Sequence, residues 1–495
     1  MQSDAWITLA VVLFVLLSLI TEKFTPLKAL FLASMALIFT GVLNPVQALA
    51  GFVNPGVLTV AALFLMVAAL KTSGAIRWLA ETVLGEHKNL TFLQIRLLSV
   101  CALFSAFVNN TPIVAAMTSA VTHWCKRMGI SPSKLLLPMN YATILGGMCT
   151  LLGTSTNMIV SGLVKQHPDI APMRIFDPLI VGGCAALVGF VFLILFSRFL
   201  LPNRISGEQL AEKGDRRRAN RVWFELVPSW LSPGIGQPVN ELSFIENNSV
   251  RLVTILRDGQ KLPEPVSESM LHLGDTLVVE GAKDFLQQIA DEQHMLLADN
   301  LDQTQVTVDS KKAFSVLAIL ALMVLANTVF GVSILLSATV AGLTALKVCK
   351  VPFRQVWKSM DWTLIAVIAF SFSLGKAAEV SGLSSIAASY LLHSISNDPY
   401  WALVGVYVMA VLFTEVLTNN AAAVLMFPVS LAVSSQLGVD PMPFILAIMV
   451  GASCGFITPI GYQTNLMVYG PGGYKFIDYM RLGTPLNIVV GFAAI

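Results

Sequence analysis

Long runs of this chain, among them residues 5–21, 29–70, 97–125, 135–164, 178–197, 313–346 and 441–474, carry no Asp, Glu, Lys or Arg. A helix needs roughly 17–25 apolar residues to cross the hydrocarbon core of a bilayer, so these runs predict membrane spans. Two runs hold a pair of spans, with Asn44-Pro45 and Asn54-Pro55-Gly56 as turn signals inside 29–70. An ordinary water-soluble globule is excluded: charged residues make up 12% of the chain, where soluble domains average about 25%. The fold class expected is an α-helical polytopic membrane protein.

The remaining charge is gathered in one place. Residues 203–312 hold 12 of the 31 Lys and Arg and 17 of the 29 Asp and Glu, leaving too few elsewhere to solvate a water-facing surface. Three units follow: membrane residues 1–202, a soluble insert over 203–311, and membrane residues 312–495. The insert opens on a basic linker, Glu212-Lys213-Gly214-Asp215-Arg216-Arg217-Arg218, with the composition of a helix. Strand-like runs follow at 223–227, 250–256 and 274–280, then a helix at 282–289, which together predict a small α+β domain without a GxGxxG phosphate loop. The first apolar run lacks a basic leader and meets Thr21-Glu22-Lys23-Phe24 rather than small cleavable residues, as an uncleaved span does. Residues 484–495 are short for a last span. The six cysteines lack metal-ligand spacing, which argues against a disulfide scaffold or a zinc site.

Lys and Arg are enriched in cytoplasmic loops. With Lys23 and Lys28, Lys71, Arg77 and Lys88, and Lys126, Arg127 and Lys134 inside, the N-terminus lies outside and the insert is cytoplasmic; Lys165 and Arg174 fit poorly. Residues 93–122 then enter and leave on one side, as a re-entrant hairpin with its tip near Asn109. Lys347, Lys350, Arg354, Lys358, Lys475 and Arg481 give the second half the opposite phase, with a hairpin tip near Asn419. The halves match at a spacing of roughly 308 residues: Ser73-Gly74 with Ser381-Gly382, Asn109-Asn110-Thr111 with Thr418-Asn419-Asn420, and Thr156-Asn157 with Thr464-Asn465. Two inverted repeats, each of about five spans plus a hairpin, predict a midplane site made by broken helices.

Unwound backbone at membrane depth is tolerated only where protein or a water-filled cavity satisfies it. The tips Asn109-Asn110-Thr111 and Thr418-Asn419-Asn420 offer carbonyl oxygens to a hard cation and amide or hydroxyl donors to an anion, aided by helix N-termini. The runs 153–157 and 458–465 interrupt apolar helices in the same way. The structural alternative is that such Asn, Ser and Thr glue helices together or satisfy kinks. Glu415, inside an apolar run, costs about 2.5–3.5 kcal/mol or more at the bilayer centre and needs a partner, a proton or water. Lys376 and Arg96 read as interfacial snorkelling residues. Neither metal-spaced histidines nor a nucleophile with its base is present in the pattern, so no enzyme is expected.

These motifs resemble the divalent anion:sodium symporter family of the ion-transporter superfamily, over both membrane halves. That family carries Ser-Asn-Thr at each hairpin tip; here the Asn is kept while neighbouring hydroxyl positions have become Asn. The resemblance implies one Na⁺ near Ser105, Asn110 and Gly153, and a second near Thr414, Asn419 and Thr458. It places the anion between Asn109, Asn110, Thr111, Thr156 and Asn157 of one half and Thr418, Asn419, Asn420, Thr464 and Asn465 of the other. The departure from the dicarboxylate pattern favours a compact oxyanion such as sulfate.

The insert resembles a TrkA-C (RCK C-terminal) domain, through 250–256 and Leu273-Gly274-Asp275-Thr276-Leu277. It implies a dimerisation or stabilising module, with a regulatory nucleotide as the minority reading. The whole is expected to be a sodium-coupled anion symporter working by alternating access. A homodimer in a bacterial inner membrane is expected, with no nucleic-acid partner. Competing readings are a dicarboxylate symporter, proton coupling through Glu415, an arsenite-type export permease, and a channel or receptor gated by the insert.

Overall fold

The charge-free runs fold as helices, and their Gly, Pro and Asn punctuation decides where each one stops. The computed structural model describes all residues except 1–2, 22, 85–89, 129, 204–221, 229–231, 233, 243–244, 246–249, 258–259, 264, 273, 282–294, 301–309 and 396–397. The linker at 212–218 and the helix expected at 282–289 lie outside the described residues.

The first membrane unit comprises α1 (Ser3–Ile20), α2 (Pro26–Phe39), the short α3 (Pro45–Leu49), α4 (Pro55–Ser73), α5 (Ala75–Leu84), α6 (Leu90–Ser105), α7 (Asn110–Met128), α8 (Leu136–Gly147), α9 (Ser155–Val164) and α10 (Leu179–Leu200). The second comprises α11 (Ser310–Phe330), α12 (Ile334–Cys349), the short α13 (Phe353–Ser359), α14 (Trp362–Val380), α15 (Leu383–Ser394), α16 (Pro399–Thr414), α17 (Asn419–Leu437), α18 (Met442–Ser453), α19 (Gln463–Tyr469) and α20 (Phe476–Ala494). The order of long, short and broken helices is the same in both. Six helices among the described residues are long and apolar enough to cross a membrane, with Leu179–Leu200 the most hydropathic.

Local chemistry accounts for the boundaries. Asn54 caps α4 by accepting from Gly56 N at 2.8 Å, with Pro55 at the first helical position, where its missing N–H costs nothing. Gly74 ends α4 and Gly382 precedes α15 at φ of 71° and 76°, a left-handed conformation costly to any residue with a Cβ, so the matched Ser-Gly pairs mark matched breaks. The last span differs from expectation. It starts at Phe476, not near 484, because Asp478 is fully buried and accepts from Lys475 N at 2.9 Å. Its 19 residues reach about 28 Å at 1.5 Å per residue.

Packing interlocks the two units. Helix α2 lies on α14 and α4 on α12; α9 lies on α17 and α19 on α7; α10 and α20 pack on one another. One hydrophobic core runs continuously through both units. Tyr474 fixes the crossing, donating to Ser133 O at 2.6 Å and accepting from Leu137 N at 2.8 Å at the start of α8.

The insert contains an antiparallel sheet, β1 (Val222–Pro228), β2 (Val250–Arg257), β3 (Gln260–Lys261), β4 (Thr276–Gly281) and β5 (Met295–Asn300), in the order β3-β2-β4-β1-β5. Three of these strands follow the alternation in the sequence. The two-residue β3 is too short for a periodic signal, and β5 pairs with β1 through Met295–Asn300, whose apolar and polar residues are grouped rather than alternating. The domain's core includes Leu226, Val250, Ile255, Leu271, Leu277 and Val279. Strand β5 packs on α7 and α19, so the insert sits against the membrane unit.

Candidate functional site

Two helix hairpins and two helix breaks converge on one cavity of about 900 Å³. The first hairpin joins α6 to α7 and the second joins α16 to α17; the breaks separate α8 from α9 and α18 from α19. Asn109 and Thr111 line the cavity from the first hairpin, and Thr418, Asn419 and Asn420 from the second. Thr156 lines it from the first break, with Ser155 beside it, and Gly461, Tyr462 and Gln463 from the second.

Each hairpin is held by the break of the opposite unit. Ser155 and Thr156 both donate to Asn420 Oδ1 at 3.1 Å. Reciprocally, Asn110 Nδ2 donates to the Tyr462 hydroxyl at 2.6 Å. Helix α17 begins at the tip, where Thr418 caps it by accepting from Ala421 N at 3.3 Å.

The remaining sequence-derived residues sit behind this lining. Asn157 Nδ2 donates to Thr150 O at 2.8 Å and Met148 O at 3.4 Å. Asn465 Nδ2 donates to Thr458 O and Gly455 O, both at 2.8 Å. These two amides close the breaks by satisfying carbonyls that the interrupted helices leave open. Thr464 is fully buried with its hydroxyl unpartnered among the described residues. Thr414 donates to Ala452 O at 2.6 Å.

Oxygen atoms crowd together behind the first tip. Ser105 donates to Asn110 Oδ1, and the Thr150 hydroxyl to Ala106 O. A Cβ at position 153 would lie 2.4 Å from Ser105 O and 2.5 Å from Gly147 O, and one at 147 would lie 2.6 Å from Asn110 Oδ1. Glycine therefore makes room for a cradle of neutral carbonyl, hydroxyl and amide oxygens, the donor set of a hard monovalent cation. No cluster of three or more His, Cys, Asp or Glu exists among the described residues. The second tip differs: Glu415, 8% exposed, accepts from Ile457 N at 2.8 Å, Thr458 N at 3.0 Å and Thr458 Oγ1 at 2.8 Å.

Sequence reasoning missed several cavity residues. Ser155 and Tyr462 lie inside the runs 153–157 and 458–465 but were not assigned to the site; Tyr462 stands where the repeat spacing puts Thr154. Lys23 lines the cavity from the α1–α2 loop and Lys28 from the first turn of α2. Gln237, Leu271 and His272 line it from the insert, which no sequence signal indicated. Their two turns are tied together by Gly236 N to Leu271 O at 2.8 Å and Leu271 N to Gln237 O at 2.9 Å.

Broken apolar helices whose polar tips meet at one cavity fit an integral membrane transporter. The chain belongs to the citrate transporter (CitMHS) family, whose model matches residues 16–449 and again 332–495. A Chlamydomonas reinhardtii protein named for the response to sulfur deprivation is 27% identical over 94% of this chain and 96% of its own length. An uncharacterized transporter of Synechocystis is 28% identical over 98% of this chain and 95% of its own. Sodium/sulfate cotransporter 1 of Chlamydomonas reinhardtii is 32% identical over 51% of this chain and 28% of its own length.

Proposed function

We propose that the chain is a sodium-coupled symporter of a divalent oxyanion, with sulfate as its substrate. The observation that carries this reading is the convergence of both hairpin tips and both helix breaks on one cavity. A relative named as a sodium/sulfate cotransporter supports the choice of ion and anion. In this reading the units 1–202 and 312–495 are inverted repeats, the hairpins are re-entrant, and 203–311 is a cytoplasmic TrkA-C-like domain. The reciprocal packing of α2 on α14 and α4 on α12 supports the repeat.

The chemistry follows from charge. Bringing a dianion into a low-dielectric cavity is costly, and a cation in the oxygen cradle of Ser105, Asn110 and Gly153 lowers that cost by direct attraction. A second cation lies near Thr414, Asn419 and Thr458. Anion and cations then favour the same closed state, which provides the coupling. Lys23, Lys28 and the insert line the cavity, and with these placed in the cytoplasm by the positive-inside pattern, this conformation is inward-facing in this reading.

The family's description as citrate transporters favours a second reading, a sodium/carboxylate symporter with the same site. Uptake of radiolabelled sulfate into proteoliposomes under an inward sodium gradient tests both. Sodium-dependent uptake that potassium cannot drive and excess citrate or succinate leaves intact is expected. Competition by either carboxylate moves the substrate to carboxylates, and absence of uptake under every gradient rejects the symporter.

A further inference from the structure

The insert reaches both ends of α19. Where the helix begins, Gln463 lines the cavity together with Gln237 and His272 of the insert's two turns. Both turn residues are exposed, so they form part of the cavity wall rather than packing behind it. Where the helix ends, strand β4 lies directly on it. A Cβ on Gly470, which caps α19, would run into Thr276 Oγ1 and stand 3.0 and 3.1 Å from Thr276 Cγ2 and Cβ. Only a residue without a side chain lets strand and helix approach this closely.

Burial agrees with this docking. Leu277 and Val279 of β4 belong to the insert's own core, whereas Thr276, on the opposite face, is 1% exposed where it meets the end of α19. The preceding turn follows the same surface: a Cβ on Gly274 would stand 3.9 Å from the Tyr469 ring. Strand β5 adds contacts with α19 and α7. From Gln463 to Gly470 the helix spans about 10 Å at 1.5 Å per residue, so a hold on its far end is a hold on the second break.

Alternating access opens one cavity to either side of the membrane in turn. Helices α7 and α19 start at the first tip and the second break, so their surroundings change when the cavity changes side. The insert cannot accompany them into the bilayer. It carries about half of the charged residues of the chain, and charged groups are excluded from hydrocarbon. We infer that the insert is a latch: docked through Thr276 on Gly470, it holds the cavity in the inward-facing state, and every transport cycle requires it to let go. The inference rests on the transport reading above and adds to it a contact that exists in one state only.

The test locks the latch in the full-length protein. Thr276→Cys with Gly470→Cys places two thiols at a Cβ separation a few tenths of an ångström below the usual disulfide range. Radiolabelled sulfate uptake into proteoliposomes is measured after oxidation and again after reduction, with the bond located by mass spectrometry. Oxidation is expected to cut uptake at least about tenfold and reduction to restore it, with neither single variant responding. A cross-linked protein that transports as fast as its reduced form overturns the inference. A wild type that takes up no anion under any gradient overturns the transport reading and the latch with it. Thr276→Cys alone is close to the original residue in size and remains informative if the double variant fails to fold. Its thiol is buried in this conformation, so modification at position 276 by a membrane-permeant maleimide is expected to be several-fold faster while sodium and sulfate drive turnover than without sodium. Equal rates of modification also overturn the latch.

Discussion

Thr458 donates both its backbone N–H and its hydroxyl to Oε2 of Glu415, at 3.0 and 2.8 Å. With Ile457 N on Oε1, the carboxylate closes the open backbone of the second break and pins it to the second hairpin. Its counterpart in the first unit is uncharged: Thr150, which matches Thr458 at the repeat spacing, donates its hydroxyl to Ala106 O.

Replacing Glu415 with Ala leaves two backbone donors of the break unpaired at a buried position. Each costs about 1–3 kcal/mol, so the variant is expected to unfold several degrees earlier in detergent and to lose uptake. Glu415→Gln retains one acceptor oxygen and turns an amide toward a donor, and should fall between the two. A Glu415→Ala protein with wild-type thermal stability would show that the carboxylate does not hold the break.

Asn140 Nδ2 donates to Asn465 Oδ1 at 2.7 Å, while Asn465 Nδ2 serves two carbonyls. Asn465→Ala removes three hydrogen bonds and should cost about 2–4 kcal/mol. Asn140→Ala removes one and should cost less. The double variant should be little worse than Asn465→Ala alone, because the pair shares one bond; additive losses in thermal unfolding would contradict the coupling.

Gly153→Ala drives a Cβ to within 2.5 Å of both Ser105 O and Gly147 O. The expected outcome is loss of sodium-dependent uptake at all sodium concentrations, because the oxygens cannot move apart without opening the cradle. Uptake with unchanged sodium dependence would remove the cradle from the mechanism.

Arg257 Nε and Nη2 donate to the two oxygens of Asp275 at 2.7 and 2.8 Å, and Nη2 also to Met270 O at 2.8 Å. Asp275, 1% exposed, in turn accepts from His272 N at 2.8 Å. Arg257→Ala uncovers a buried carboxylate and frees the turn that lines the cavity. Faster proteolysis of the insert and an altered maximal uptake rate are expected, with the anion half-saturation within about twofold of wild type, because Arg257 acts on the turn and not on the tips. An unchanged protease pattern would count against the staple.

The mostly helical, membrane-spanning character was legible because a bilayer-sized helix needs a long run nearly free of charge. Ser73-Gly74 and Ser381-Gly382 were legible as matched positions, and the structure shows why both keep Gly: each makes a left-handed turn at a helix boundary. Asn109, Thr111, Thr418, Asn419 and Asn420 stood out because polar residues in the middle of an apolar hairpin need a reason. Asn157 and Asn465 carried the same signal, and the structure shows their amides spent on the carbonyls of their own breaks. Sequence cannot separate these cases, since a donor facing a cavity and a donor facing a carbonyl have the same composition.

The sequence alone therefore determined a helical membrane protein, split by a charged insert, with polar breaks at matched positions, because hydrophobicity and backbone stereochemistry act locally along the chain. The tertiary structure alone decided which break holds which hairpin. Asn110 meets Tyr462 across 352 residues and Asn420 meets Ser155 across 265. Such partners are chosen by the packing of whole helices.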